Sequence, residues 1–300
     1  MLKQWVTATN NGSPQPLERT MTYRSLLVFL DRDPLCAART LVAIRLAKDL
    51  DCHLVGVAPT GIVELPMFAE AATALAELST LAWDSLRDHA EQATQRFRQA
   101  CRAAGVKSFE AVIDESDKAP SLVRHAHCSD LTVLSQADPT APRHRVAQAL
   151  VEQVVLFSAR PTLILPYAGS FEPIGRNAMV AWDDSREAAR ALSDALPLLR
   201  LAEHVQIVSW SEDSADGDKT LRPRLDALSK WLMWQGVSVN LRVEMTNIDI
   251  ADAMLSHAAD SNTDFIVMGA YGHARWTERV LGGATRGLLA AMTVPVLMSH

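Results

Sequence analysis

The chain of 300 residues contains only four cysteines, at positions 36, 52, 101 and 128, and no two of them are close in sequence. Small secreted domains that rely on disulfides carry closely spaced cysteines, so this pattern favours a reducing compartment. The chain also lacks an apolar run long enough to span a bilayer. We therefore expect a cytoplasmic protein with no membrane partner.

Positive charge is scarce as well. The 29 Lys and Arg residues are outnumbered by 35 Asp and Glu residues, which gives a net charge of −6. Proteins that bind nucleic acid broadly carry an excess of basic residues, so we expect no nucleic-acid partner. Basic residues cluster only locally, at Arg143–Arg145, which we interpret as a solvated loop, and at Arg275, Arg279 and Arg286.

Familiar catalytic motifs are missing. The sequence has no Gly-x4-Gly-Lys-(Ser/Thr) loop, no Ser-Gly-Gly-x-Asp-Ser loop and no clear pair of base and nucleophile. The cluster His125-Ala-His127-Cys128 fits no standard zinc spacing, so we predict no metal site. We assign no catalytic residue and expect a protein that is not an enzyme, although slow ATP hydrolysis stays open.

What the chain does contain is an internal repeat. Ser129–Leu134 and Thr263–Met268 are versions of one strand, and Asp130 and Asp264 within them lie 134 positions apart. A repeat of this length indicates a domain duplication. We predict a flexible tail over 1–21, a first domain over 22–168 and a second over 174–300.

Strands alternate with helices in both copies, which predicts an α/β protein with two doubly wound parallel sheets. In the first copy we expect a helix over 34–50 that buries Leu41 and Ile44, a helical insertion over 62–80 and a separate helix over 81–104. In the second copy a strand is expected over 237–244.

A glycine motif follows the strand Phe265–Met268 in the second copy. Gly269 and Gly272 leave the strand, and Gly282 and Gly283 open the next helix. Glycine lets backbone N–H groups approach an anion closely, and a helix N-terminus offers further free N–H groups. The motif predicts a phosphate cradle, and tight turns without a ligand are the alternative.

The first copy has lost this motif. Carried back by 134 positions, the glycines and Thr285 correspond to Ser135, Asp138, Gln148, Ala149 and Val151. Asp138 would place a negative charge where a phosphate would lie. We therefore predict that the first copy does not bind a nucleotide in this way.

These residues resemble the universal stress protein family in its tandem form. Nucleotide-binding members carry Gly-x2-Gly-x9-Gly-(Ser/Thr) after the fourth strand, and this chain departs from that pattern only at Gly283. The first-strand signature, an apolar run that ends in Asp, is present at Val180–Ser185 and more weakly at Leu27–Asp31. The resemblance covers residues 22–300. It implies Rossmann-like domains of the adenine nucleotide alpha hydrolase type, joined as an intramolecular pseudo-dimer through their last strands.

The resemblance also implies the ligand: ATP or a related adenine nucleotide, with or without Mg²⁺, bound by a stress-response regulator or sensor. Asp183 would contact the ribose, Trp182 and Trp210 would border the base, and Thr285 would supply the missing hydroxyl. The full cofactor-binding set is Ala181, Trp182, Asp183, Trp210, Met268, Gly269, Gly272, Gly282, Gly283, Ala284 and Thr285.

Several alternatives stay open from the sequence. The tryptophans either stack on adenine, block the pocket or belong to the core. Asp183 and Thr285 are also suited to capping their helices. The protein as a whole is either a nucleotide-binding regulator, a ligand-free interaction scaffold with a vestigial loop, or a slow ATPase, and a further homodimer is an additional option.

Overall fold

The computed structural model describes residues 22–61, 72–169, 174–211, 217–272 and 283–300. The expected tail over 1–21, Gly282, Arg275, Arg279 and the first part of the expected insertion lie outside these ranges.

Each half contains five strands and four helices among its described residues. The first half runs β1 (Ser25–Phe29), α1 (Leu35–Asp49), β2 (His53–Pro59), α2 (Ala72–Ala103), β3 (Phe109–Asp114), α3 (Lys118–Ala126), β4 (Leu131–Ser135), α4 (His144–Phe157) and β5 (Thr162–Leu165). The second half runs β6 (Asn177–Ala181), α5 (Arg186–Leu199), β7 (His204–Ser211), α6 (Gly217–Trp234), β8 (Asn240–Met245), α7 (Ile250–Asp260), β9 (Phe265–Gly269), α8 (Gly283–Ala291) and β10 (Val296–Ser299).

All ten strands form one sheet in the order β3-β2-β1-β4-β5-β10-β9-β6-β7-β8. Neighbouring strands are parallel within each half, and β5 and β10 pair antiparallel where the halves meet. The predicted fold and pseudo-dimer are therefore confirmed. Pairing of the two last strands also removes two apolar edges that would otherwise be open to aggregation.

Helices cover both faces of the sheet. Side chains from α1, α2, α5 and α6 pack in one apolar cluster, and those from α3, α4, α7 and α8 pack in another on the opposite face. Strands buried on both faces read as nearly continuous apolar runs, as in Leu26–Leu30 and Phe265–Met268.

Side chains also connect the halves. The Tyr23 hydroxyl donates to the Asp194 carbonyl at 2.5 Å, and Arg190 donates to the Ala159 carbonyl at 2.7 Å. Next to β5, the buried amide of Gln136 donates to the Leu289 carbonyl at 2.8 Å. The two halves therefore share polar contacts as well as a strand pair.

The repeated aspartates have the same structural role in both halves. Asp130 accepts hydrogen bonds from the backbone of Arg24 and Ser25, just where β1 begins. Asp264 accepts from the backbone of residues 175–177, where β6 begins. This shared contact explains why the sequence repeat is clearest at these positions.

Three local expectations are corrected. The region after residue 71 forms one helix, α2, of 32 residues rather than an insertion followed by a separate helix. Leu41 is 56% exposed and does not belong to the buried face of α1. Strand β8 begins at Asn240 because the Val237 N–H donates to the Leu232 carbonyl and closes the turn after α6.

None of the described helices is both long and apolar enough to cross a membrane.

Candidate functional site

Two strand ends meet at the crossover point of the second half. Val180 of β6 pairs with Val267 of β9, so Asp183 and Ala270, each three residues further on, leave the sheet side by side. The chain passes from β6 to β7 on one side and returns to β9 on the other. In open α/β sheets this edge is where ligands bind.

Asp183 is exposed and helps to start α5. One of its carboxylate oxygens accepts from the Ser185 N–H at 3.0 Å, and the Ser185 hydroxyl in turn accepts from the Ala188 N–H at 3.0 Å. Ser185 is thus the N-cap, and Asp183 supports the turn before it. Asp184, at a φ of 61°, forms an ion pair with Arg224.

Gly269 allows β9 and α5 to touch. A Cβ at this position would lie 2.5 Å from the Ala188 nitrogen and 2.6 Å from the Glu187 carbonyl carbon. Such contacts with backbone atoms cannot be relieved by rotating a side chain. The packing of the strand against the helix therefore requires glycine here, whether or not a ligand binds.

Gly272 lies against a carboxylate that the sequence did not reveal. A Cβ at 272 would lie 2.9 Å from a carboxylate oxygen of Glu187, whose side chain is buried. Burial alone would raise the pKa of Glu187, but its hydrogen bond with Arg186 and the nearby charge of His300 lower it. Glu187 is therefore a fixed negative charge beside the glycine loop.

Thr285 has a structural role that the sequence did not suggest. Thr285 is buried, with 3% of its surface exposed. Its hydroxyl accepts a hydrogen bond from the Tyr271 N–H at 3.1 Å and so connects the loop to α8. Gly283 and Ala284 form the first turn of α8 and are half-buried. The first N–H groups of a helix have no partner within the helix, so the first turn of α8 offers backbone donors directly after Gly282.

The two tryptophans lie on opposite faces of the sheet. Ala181 and Trp210 belong to the α7/α8 side, where Trp210 packs edge-on against His257 with ring centroids 6.2 Å apart. Trp182 is buried on the α5/α6 side, and its indole N–H has no hydrogen-bond partner among the described residues. The structure therefore brings Ala181 and Trp210 together but separates them from Trp182.

Met268 and Tyr271 flank the start of the loop. Met268 is buried in the α7/α8 core. Tyr271, at a φ of 55°, has a buried hydroxyl without a partner among the described residues. Burial, followed by the charge of Glu152 in the other half, raises the pKa of Tyr271 to about 12. Its position inside the glycine motif was the only sequence signal for it.

The histidine cluster of the first half is structural. The ring of His125 lies 3.2 Å from an Asp114 carboxylate oxygen, and His127 contacts the Phe157 carbonyl at 3.3 Å. Within the part of the chain that is described, no group of three or more His, Cys, Asp or Glu residues has the geometry to hold a metal ion.

Comparison with known proteins identifies the second half. Residues 175–300 match the model of the universal stress protein family. A universal stress protein from Archaeoglobus fulgidus is similar over 92% of this chain and 95% of its own, at 17% identity and a TM-score of 0.69. A protein of unknown function from Pseudomonas aeruginosa is similar over 92% of both chains, at 16% identity and a TM-score of 0.57.

These two likenesses extend over both halves and show the tandem fold. No curated protein matches the chain. The resemblance inferred from the sequence is confirmed: the second half is a universal stress protein domain, and the first half repeats its architecture.

Proposed function

We propose that the second half binds an adenine nucleotide, most simply ATP with Mg²⁺, and that the protein is a cytoplasmic stress-response regulator or sensor. The observation that carries the proposal is the meeting of three segments at one crossover point: Asp183 after β6, Gly269 and Gly272 at and after the end of β9, and the first turn of α8. The family match over residues 175–300 supports it.

The charges around the loop favour a nucleotide that brings a cation. Asp183 is exposed and Glu187 is a buried carboxylate, while Arg186 and Arg224 are both engaged in ion pairs. A free triphosphate would be repelled by these carboxylates. Mg²⁺ binds carboxylate and phosphate oxygens together, so the donor set fits a Mg²⁺–nucleotide better than a bare anion.

The same features argue for binding rather than fast turnover. Phosphoryl transfer requires cations held against the transferring group and a positioned nucleophile. Arg186 and Arg224 are paired with carboxylates, which leaves Arg286 of α8, whose charge partly offsets the effect of burial on the pKa of Tyr271, as the described cation beside the loop. We expect turnover well below the roughly 1–100 per second of kinases.

A specific observation favours a second candidate, the ligand-free scaffold. Gly269 is explained by its close approach to the backbone of Ala188 and Glu187. Glycine at this position therefore does not require a phosphate.

The experiment is calorimetric titration of the full chain with ATP and MgCl₂. We expect one site per chain, and about tenfold weaker binding for Asp183→Ala, since a hydrogen bond to a charged group contributes about 1.5–3 kcal/mol. Asp260→Ala is the matched control, because this exposed carboxylate ends α7 at the opposite edge of the sheet and should not change the affinity.

Other outcomes select the alternatives. If ATP neither binds nor raises the melting temperature of the wild-type chain, the scaffold is correct. Steady-state phosphate release within the kinase range, abolished by Asp183→Ala, would establish an enzyme.

A further inference from the structure

The first half contains a cavity at the carboxyl ends of its own strands. Its volume is about 430 Å³, and its walls come from the ends of β1, β2 and β4 together with α2 and α4. Sites for small molecules commonly have volumes of roughly 300–1,000 Å³. The cavity is therefore large enough for a ligand, in the half that lacks the glycine motif.

Positive side chains converge on this cavity from four segments. Arg32 follows β1, Arg39 belongs to α1, Lys118 opens α3 and Arg143 precedes α4. The acidic lining residues are Asp31 and Asp33, so cations exceed carboxylates by two. Because these residues are far apart in sequence, only the fold brings the charges together.

Arg39 forms the floor of the cavity and is already satisfied. Only 2% exposed, it donates to the Phe29 carbonyl at 2.8 Å, to the Ser135 hydroxyl at 2.9 Å and to the Asp31 carboxylate at 2.8 Å. Its charge is thus balanced by Asp31. The excess positive charge that faces a ligand comes from the other three cations.

Those three cations have no acidic partner among the described residues. Arg32 lies 3.0 Å from the His89 ring nitrogen, which accepts a hydrogen bond when the imidazole is neutral. The half-buried Lys118 side chain passes near Gly61, and no described carboxylate lies within ion-pair distance of Lys118 or Arg143. A half-buried cation without a counter-ion, Lys118, together with the exposed Arg32 and Arg143, favours the binding of an anion.

The remaining wall is apolar. Leu86 and Ala90 of α2 face the cavity from one side, and Val146 and Leu150 of α4 line it from the other. Val146 is 68% exposed, so part of this apolar wall is open to solvent. An apolar ligand body would cover this surface.

We propose that this cavity is a second ligand site, which binds a small organic anion with a carboxylate or phosphate head and an apolar body. Side-chain cations hold the head, in place of the backbone N–H groups of a glycine loop. Leu30 stands where the second half has Trp182, and this smaller side chain leaves room for the apolar body.

A nucleoside triphosphate does not fit this description. At the positions that correspond to Gly269 and Gly272 the first half carries Ser135, which bonds to Arg39, and Asp138, whose carboxylate accepts from both the N–H and the hydroxyl of Thr140. These residues leave no glycine cradle for a chain of phosphates.

The test uses three probes that share one ring system: 1-naphthoate, 1-naphthyl phosphate and the neutral 1-naphthamide. Each is titrated calorimetrically into the full chain in the presence of saturating ATP and MgCl₂. We expect at least one anion to bind about tenfold more tightly than the amide, and comparison of the two anions distinguishes a carboxylate ligand from a phosphate ester. Equal affinity for the amide, or no binding of either anion, would overturn the proposal.

Variants locate the binding. Lys118→Met should weaken anion binding about tenfold, whereas Lys107→Met, at an exposed lysine that pairs with Asp51 at the opposite edge of the sheet, should leave it unchanged. Arg143→Gln, at an exposed position, gives the same expectation with little risk to folding. Equal effects of the cavity and control variants, or displacement of the probe by ATP, would show that the probe binds elsewhere.

Discussion

At the crossover point of each half, the first helix packs against the end of the fourth strand, and it does so differently in the two halves. In the first half, Arg39 of α1 reaches the end of β4, where it bonds to Ser135, and a cavity lies above it. In the second half, the position of Arg39 is taken by Ala191 and that of Ser135 by Gly269, and the backbone of α5 closes directly onto β9. The residue at the end of the fourth strand and the helix residue opposite it therefore differ together between the half with the cavity and the half in which the helix closes on the sheet.

The charges at the two crossover points are also reversed. Arg32 follows the first-strand aspartate in the first half, and Asp184 follows it in the second. The buried group beside the strand end is the cation of Arg39 in one half and the carboxylate of Glu187 in the other. The shared fold thus carries opposite charges at its two crossover points, and the two ligands proposed above differ accordingly.

The largest expected difference concerns the aspartate that ends the signature of the first strand. Asp31→Ala would leave the buried Arg39 without its carboxylate, and breaking a buried pair costs about 3–5 kcal/mol. Because the Asp31 side chain is 18% exposed, we expect a loss near the lower end, about 3 kcal/mol. Asp183→Ala removes only a turn contact at an exposed site and should cost about 1 kcal/mol or less.

Urea denaturation of both variants, compared through the midpoint at unchanged slope, measures this difference. Equal losses of unfolding free energy in the two variants would mean that Asp183 stabilises the fold more than its exposed position indicates. In that case the two strand ends would be more alike than their contacts suggest.

The next largest expected effect is on the pH dependence of stability. It concerns the ends of β3 and β8, where the first half has Asp114 and the second has an exposed Met245. Burial by itself would raise the pKa of Asp114, but hydrogen bonds from Ser116 and Ser121, followed by the charges of Arg124 and His125, lower it. Since the pKa is lower in the folded state, the unfolded chain takes up the proton first. This stabilisation is present above about pH 4 and is lost as the pH falls further.

Asp114→Asn should therefore lower the free energy of unfolding by about 1–2 kcal/mol at pH 7 and by clearly less at pH 3. Melting temperatures of wild type and variant at the two pH values provide the measurement. If the difference in melting temperature between wild type and variant is the same at pH 7 and pH 3, the carboxylate contributes through its shape and not through its charge.

Most of the fold was predictable because it depends on local patterns. The alternation of strands and helices and the repeated Asp130 and Asp264 predicted the duplication and the parallel strand order within each half. The pairing of β5 with β10 followed from the family resemblance. The expectation that Leu41 is buried was wrong. Helical periodicity alone does not show which apolar residue at the margin of a helix face is buried by neighbouring elements.

The sites were less predictable, because they depend on contacts between distant segments. The glycine motif was visible in the sequence, but nothing there showed that Glu187 lies against Gly272 or that Thr285 bonds to Tyr271. The cavity of the first half could not be predicted from the sequence, because this half has lost the glycines that mark such a site. Its cations come from four separate elements and form no motif.

The smallest expected effect concerns the second residue after the first loop glycine, which is Tyr271 in the second half and Ala137 in the first. The Tyr271 hydroxyl is buried, and among the described residues it has no hydrogen-bond partner. A buried hydroxyl without a partner loses its hydration and gains nothing in return, so Tyr271→Phe should stabilise the chain by up to about 1 kcal/mol in the absence of nucleotide. Urea denaturation measures the change, with Tyr167→Phe, at a more exposed tyrosine, as the control that should have no effect. If Tyr271→Phe instead destabilises the chain, the hydroxyl has a hydrogen-bond partner in the folded protein. If it weakens ATP binding without changing stability, the hydroxyl contacts the nucleotide, and the contrast with Ala137 is one of ligand binding rather than of packing.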